Sequence, residues 1–221
     1  MGQAVVIYCH PSGKSHNARI LENVGAGLEA AGTPYKLFDL YSEAFQPCLT
    51  EEEYEHTIHA GPQGTDPVVQ EWQTAISEAT DLVFIYPVWW YGMPARLKGF
   101  IDRVFTQGFA FRFVHVPGPL LRVAAAMSFI PGVRYMMQPN AAKGLLKGKR
   151  AWIFRSFGGP RFGKRIFGNM TAGLDHATLR FCGITALRVH ELYNVNKSQY
   201  TQAYEDAYMA TARRIAERIG R

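Results

Sequence analysis

The opening third of the chain restricts the fold more than any other stretch. Residues 3–9 (QAVVIYC) form a short apolar run with β-branched members and no polar alternation, the pattern of a strand buried on both faces in a parallel sheet. A polar turn, HPSGKSHN, follows. Next comes ARILENVGAGLEAAG, in which Ile20, Val24 and Leu28 recur at helical spacing and Gly32 supplies a stop. YKLFDL at 35–40 is a second strand candidate. Strand, helix, strand makes a βαβ unit, with a parallel pair and a right-handed crossover.

The alternation continues. A short acidic helix is predicted around Glu51–Glu55 within an irregular stretch, 41–65, and Pro67 opens a helix through VVQEWQTAISEA. Asp81 begins a third strand, DLVFI. Pro94 to Phe105 places Leu97, Phe100, Ile101, Val104 and Phe105 on one helical face. Residues 149–157 and 184–192 supply two more strands. A closing helix over 198–219 puts Tyr204, Tyr208, Ala212, Ile215 and Ile219 on one side. The prediction is an α/β chain with a doubly wound five-stranded parallel sheet, strand order 2-1-3-4-5, and helices on both faces. Ligands then bind beyond the carboxyl ends of the strands where the winding reverses, here after strands one and three.

At 221 residues a single domain spanning 1–221 is expected. Cys9, Cys48 and Cys182 are widely spaced and form no C-x-x-C pair, which suits a reducing compartment. No basic, long apolar and small-residue leader precedes the first strand, so a cytoplasmic protein is expected. Asn169-Met170-Thr171 and Asn196-Lys197-Ser198 match the glycosylation pattern and carry little weight without a secretory signal.

Net charge is +6, and no Asp or Glu occurs from Arg103 to Leu174 while Arg112, Arg122, Arg134, Lys143, Lys147, Lys149, Arg150, Arg155, Arg161, Lys164 and Arg165 do. A positive field is expected over this half. It is either a solvated basic face or an attractor for an anionic ligand such as a dinucleotide phosphate. No nucleic-acid-binding signature accompanies it, so nucleic acid is not an expected partner.

Three loops can carry chemistry. After strand one, His10, Ser12, Gly13, Lys14, Ser15, His16 and Asn17 gather hydroxyls, an amide and a cation at a helix N-terminus, where unpaired N–H groups suit a phosphate. The plainer alternative is an N-cap by Ser15 or Asn17. After strand three, Tyr86-Pro87-Val88-Trp89-Trp90-Tyr91-Gly92 places four aromatic rings around a strand-to-helix turn. A flat apolar ligand lying on them accounts for bulky rings at a normally exposed position. After strand four, Arg155-Ser156-Phe157-Gly158-Gly159-Pro160 offers paired glycines whose N–H groups suit a ligand edge, or an ordinary turn.

Other patterns fail. Gly25-Ala26-Gly27-Leu28-Glu29-Ala30 matches a dinucleotide fingerprint as text, but it begins inside a helix and is better explained by close helix packing. His56 and His59 lack a third ligand, so no metal site is expected. There is no G-x-S-x-G elbow and no P-loop. The interval 114–140 is apolar, Met-rich and broken by Pro117, Pro119, Pro131 and Pro139. It is read as an insertion serving as a lid, a dimer contact or a peripheral membrane contact, with a transmembrane span disfavoured by Arg122, Arg134 and Pro131-Gly132.

His10-Pro11 with Ser15 and Asn17, the long motif from Tyr86 to Phe105, and Gly108-Phe109-Ala110-Phe111 resemble the flavodoxin-like NAD(P)H:quinone oxidoreductase family, which includes the quinone reductases and the ancillary oxidoreductases of potassium-efflux systems. Phe181-Cys182-Gly183-Ile184 is a weaker fourth match. The resemblance implies a flavodoxin-like fold and one flavin per subunit, FAD or FMN. Its phosphate would lie on His10, Ser15, His16 and Asn17, and its ring against Pro87, Val88, Trp89, Trp90 and Tyr91. Ser156, Phe157, Gly158 and Gly159 would cover the pyrimidine side. It further implies NAD(P)H as co-substrate and a two-electron ping-pong transfer to a quinone-like acceptor, with no catalytic side chain. The active site would form at a homodimer interface, with Phe111 and Phe113 lining the substrate site where animal quinone reductases have tyrosines. His16 stands where Phe is common. Azo or nitro acceptors, a flavin-binding ancillary subunit of a membrane transporter, and a one-electron carrier remain alternatives.

Overall fold

The computed structural model describes residues 2–41, 45–59, 66–127, 140–163, 166, 168, 171, 173–198 and 200–221. Its centre is the run of apolar residues that begins the chain. Strand β1 (Ala4–Tyr8) is wholly buried and pairs in parallel on both sides, Ala4 with Tyr35 of β2 (Tyr35–Asp39) and Ala4 with Asp81 of β3 (Asp81–Pro87). Full pairing and two covered faces explain why no polar residue interrupts it.

Helix α1 (His16–Ala30) makes the first crossover, and Ser15 caps it, its Oγ accepting from the Ala18 amide at 3.1 Å. Helices α2 (Glu51–His59) and α3 (Pro67–Glu78) precede β3, and α4 (Ala95–Val104) follows it. Pro67 stands at the start of α3 and Asp66 caps it through the Val68 amide. Strands β4 (Phe111–His115) and β5 (Asn140–Gly144) form a separate antiparallel ribbon around helix α5 (Gly118–Ala126). Then come β6 (Arg150–Ser156), a π-helical turn at Gly173–Leu179, β7 (Ala186–Leu192) and α6 (Gln202–Ala216).

The main sheet runs β2-β1-β3-β6-β7, all parallel, which is the expected 2-1-3-4-5 once the ribbon strands are set aside. Each face carries its own apolar layer. On one, Val6, Ile85 and Phe154 pack on Ile20, Val24 and Leu28 of α1 and Met209 and Ala216 of α6. On the other, Ile7, Phe84 and Ile153 meet Trp72 and Ile76 of α3 and Leu97 and Phe100 of α4. The fingerprint-like glycines serve packing: a Cβ on Gly27 would lie 2.6 Å from the Ala216 Cβ and against the Arg213 carbonyl, so α1 and α6 approach only because it has none.

Two sequence expectations change. The insertion predicted at 114–140 is framed by a ribbon starting at Phe111 and contains α5; residues 128–139, with Arg134, Pro131 and Pro139, lie outside the described residues. The basic half is also less free than its composition suggests. Arg155 is 2% exposed and salt-bridged to Asp175 and Glu191. Arg150 pairs with Asp81, and Lys149 donates to the Ser77 and Ala79 carbonyls. The acid-free interval in sequence is answered by acids from other strands, a pairing only tertiary structure creates.

Candidate active site

The winding reverses between β1 and β3, and the carboxyl ends of β1, β3 and β6 open there into a cleft of about 490 Å3. His10, Ser15, His16 and Asn17 line it from the first loop, Pro87, Val88, Trp89 and Trp90 from the third, and Ser156 and Gly158 from the loop after β6. Three loops far apart in sequence thus share one surface. Another cleft of about 470 Å3 opens between β7 and α6, lined by His190, Tyr204 and Tyr208, but it lies at the sheet edge rather than at the reversal.

The first loop is a set of hydrogen-bond donors. The amides of His16 and Asn17 open α1 and have no helical carbonyl four residues back. Nδ1 of His10 lies 3.0 Å from the Ser12 amide and 3.1 Å from the Ser12 carbonyl, so it accepts in one tautomer of the ring and donates in the other. Burial holds the His10 imidazole below its ordinary pKa, against the hydrogen bond at Ser12. Asn17 is buried, donates from Nδ2 to Ser156 Oγ at 2.9 Å, and leaves Oδ1 without a partner. A half-turn of the amide lets the Ser156 hydroxyl donate to Oδ1. His16 donates through Nδ1 to the buried Glu205 at 2.9 Å, and Glu205 also accepts from Arg19, so the loop is fixed to α6.

The aromatic turn has an uncommon backbone. Trp89 and Gly92 exchange both backbone hydrogen bonds, Trp89 N to Gly92 O at 3.1 Å and Gly92 N to Trp89 O at 2.9 Å. The two residues between them, Trp90 and Tyr91, have φ of +46° and +63°. This is a two-residue hairpin with both central residues left-handed, a position that favours Asn and Gly. Two bulky aromatic residues there are strained, and Trp90 is 97% exposed, so folding returns almost nothing for its ring. Trp89 is steadier, its ring 5.9 Å from that of His10.

The loop after β6 begins later than the sequence suggests. Arg155 and Ser156 belong to the strand, and Ser156 faces Asn17. Phe157 stacks on Tyr193 at 4.8 Å and does not line the cleft; its amide donates to the Leu192 carbonyl. Among the described residues the amides of Gly158 and Gly159 find no backbone acceptor, and Gly158 lines the cleft. Gly159 and Tyr91 also fall outside the cleft lining, and Gly159 accepts from the Asn194 amide. Phe111 and Phe113 are elsewhere: Phe111 packs edge-on against Phe113 and Phe181, and none of these three rings lines this cleft.

Val195 and Asn196 complete the cleft. A Cβ on Gly158 would lie 3.1 Å from Asn196 Nδ2, so Gly158 keeps that amide within the site. In the sequence Asn196 stands out only as part of a glycosylation-like triplet. Beneath the loop lies a second feature that the sequence conceals. Buried Arg155 bonds Asp175 through two 3.0 Å contacts, Glu191 at 2.6 Å and the Tyr86 hydroxyl at 3.2 Å. Tyr193 donates to the same Glu191. Burial pushes the Tyr86 phenol up to about 12 and raises the Asp175 carboxyl even against Arg155. Among the described residues no carboxylate lines the cleft itself. Donors at one end and apolar planes at the other fit a phosphate-bearing planar heterocycle.

The family model described as the flavodoxin-like fold matches residues 3–219. The chain belongs to the flavodoxin-like fold family. Within this family, the chain is 29% identical over 202 residues to the ribosyldihydronicotinamide dehydrogenase (quinone) of Rattus norvegicus, covering 84% of this chain and 78% of the relative. It is 26% identical over 212 residues to NAD(P)H dehydrogenase (quinone) 1 of Cavia porcellus, covering 87% and 69%. The solved NAD(P)H:quinone oxidoreductase from Methanothermobacter marburgensis superposes with a TM-score of 0.74 at 25% identity, covering 98% of this chain and 96% of that one. As a flavodoxin-like protein, the chain has its cleft where the topology of that fold places ligands.

Proposed function

We propose that this protein is a flavin-dependent NAD(P)H oxidoreductase acting on quinone-like acceptors. The observation that carries the reading is the cleft at the sheet's reversal point, where a donor-rich helix N-terminus faces an aromatic turn. The relatives named for NAD(P)H- or nicotinamide-dependent quinone reduction support the reaction class.

In this reading Ser15, the His16 and Asn17 amides and the His10 ring would hold the flavin phosphate. Pro87 to Trp90 present the plane on which the ring rests, and the Gly158 and Gly159 amides meet its polar edge. When bound, the flavin, FMN or FAD, would supply the two-electron redox chemistry between NAD(P)H and the acceptor, in a ping-pong cycle. The chain's own work is to bind and orient the flavin and its substrates. Phe111 and Phe113 lie outside this chain's cleft, while Trp90 on its lining and Tyr91 next to it are exposed. Both facts support a homodimer in which the ribbon phenylalanines of one subunit face the cleft of the other.

The test is purification followed by a mass measurement of any released flavin and turnover of NADH and NADPH with menadione. Yellow protein releasing FMN or FAD, with double-reciprocal plots parallel across acceptor concentrations, is expected. Colourless protein that binds neither flavin and does not oxidise NAD(P)H refutes the proposal. A monomer in sedimentation velocity with full turnover refutes the shared site.

A further inference from the structure

The ribbon and α5 carry two features that the cleft does not use. The first is unpaired charge. In the ribbon's register Arg112 lies directly opposite Lys143, a like-charge pair that weakens an antiparallel pairing unless an anion lies over it. Lys143 shares a groove of about 790 Å3 with Val114, Lys147 and Arg180. Among the described residues, Arg112, Lys143, Lys147 and Arg180 form no ion pair. Asp175, the acid that ends the long acid-free interval, is already taken by Arg155.

The second feature is an apolar helix with an exposed stripe. Helix α5 reads GPLLRVAAA, with Arg122 its single charge. A helix apolar on all sides is normally a buried one. Here Leu120 is 60% exposed and Val123 56%, and Met127 is exposed as well. Their spacing of three and four residues sets them in one stripe. Nine residues rise only about 14 Å, well short of a bilayer core, and no helix among the described residues is long and apolar enough to cross a membrane.

We propose that the ribbon and α5 form a docking surface for an anionic membrane. The Leu120, Val123 and Met127 stripe enters the headgroup layer while Arg112, Lys143, Lys147 and Arg180 meet lipid phosphates. Arg112 alternates with Phe111 and Phe113 along β4, so its face is opposite to the one that the proposed homodimer uses; a second copy suits this cationic face less well, because it brings the same +6 charge and the same unpaired cations against themselves. A bilayer with acidic headgroups supplies both missing complements, apolar depth and negative charge. The proposal concerns a surface apart from the cleft and holds whether or not a flavin is bound.

The experiment is vesicle co-sedimentation of the purified full chain with phosphatidylcholine alone and with phosphatidylcholine containing about one-third phosphatidylglycerol. Binding to the anionic vesicles only, released by salt, is expected. Arg112→Gln/Lys143→Gln lowers partitioning about 25-fold, roughly fivefold per charge removed. Leu120→Asp/Val123→Asp lowers it about tenfold or more. Leu120→Ser/Val123→Ser replaces the aspartate pair should that variant misfold. Circular dichroism and turnover with a water-soluble acceptor stay at wild-type levels in the variants that fold, so failure here is separable from failure of the flavin assignment. No binding to anionic vesicles, equal binding to neutral ones, or undiminished binding by both classes of variant overturns the proposal. So does a self-associated species that the α5 variants abolish in the absence of vesicle binding, which would assign the helix to a second copy.

Discussion

Replacing the aromatic turn by the sequence its backbone favours, Trp90→Asn with Tyr91→Gly, is expected to make the protein more stable and less able to hold its ligand. Each left-handed non-glycine residue costs about 1–2 kcal/mol, and the pair sits at φ of +46° and +63°. Relief of about 2 kcal/mol is therefore a low-end figure for the two. Against it stand about 0.5–1 kcal/mol for the added freedom of an unfolded glycine and a few tenths for the contacts of half-exposed Tyr91. Trp90, at 97% exposure, contributes almost nothing in the free chain. The balance is a gain of about 1 kcal/mol, or a Tm increase of about 2–4 °C for a chain of this size. The assay is thermal unfolding of flavin-free protein, paired with flavin retained after gel filtration. Higher Tm with lower retention is the expected signature of strain kept for binding. An unchanged or lower Tm refutes the strain argument, and unchanged retention refutes the role of the turn in the cleft.

Three further outcomes follow from the interior. Burial alone would raise the Asp81 carboxyl, but hydrogen bonds from Arg150, Trp152 and Thr80 outweigh it and hold the group below its usual range. Its folded value is thus depressed, so its stabilisation is present above the unfolded pKa of about 3.9 and lost as pH falls through the folded value. Asp81→Asn should cost about 2–3 kcal/mol near neutrality in urea unfolding, with the deficit shrinking below about pH 4; a pH-independent deficit contradicts the assignment. Arg155→Met leaves Asp175 and Glu191 buried without their cation and should cost about 3–5 kcal/mol. Adding Asp175→Asn and Glu191→Gln should recover part of that loss, and no recovery would mean that Arg155 acts through packing. Gly27→Ala should destabilise by about 1–3 kcal/mol despite alanine's better helix propensity, because its methyl enters the α1–α6 contact; a stabilised variant in thermal melts would show that the two helices can separate at low cost.

The parallel sheet and its order were legible in the chain itself because local patterning and topology rules are strong. Uninterrupted apolar strands such as Ala4–Tyr8 admit only a doubly covered sheet, and the alternation with helices leaves few windings. Loops after strands one and three could be singled out for the same reason. Sequence also marked the aromatic turn as costly, but its strain is a property of φ at Trp90 and Tyr91. The tertiary structure alone decided which loop residues face one another. It brought Asn196 to Gly158 and set Phe157 on Tyr193, away from the cleft. It moved Phe111 and Phe113 out of the cleft lining, and it closed Arg155 between Asp175 and Glu191 although the local sequence held no acid. Periodicity records which face of an element is buried, whereas charge pairing and ring contacts depend on register across strands, information that no single segment carries.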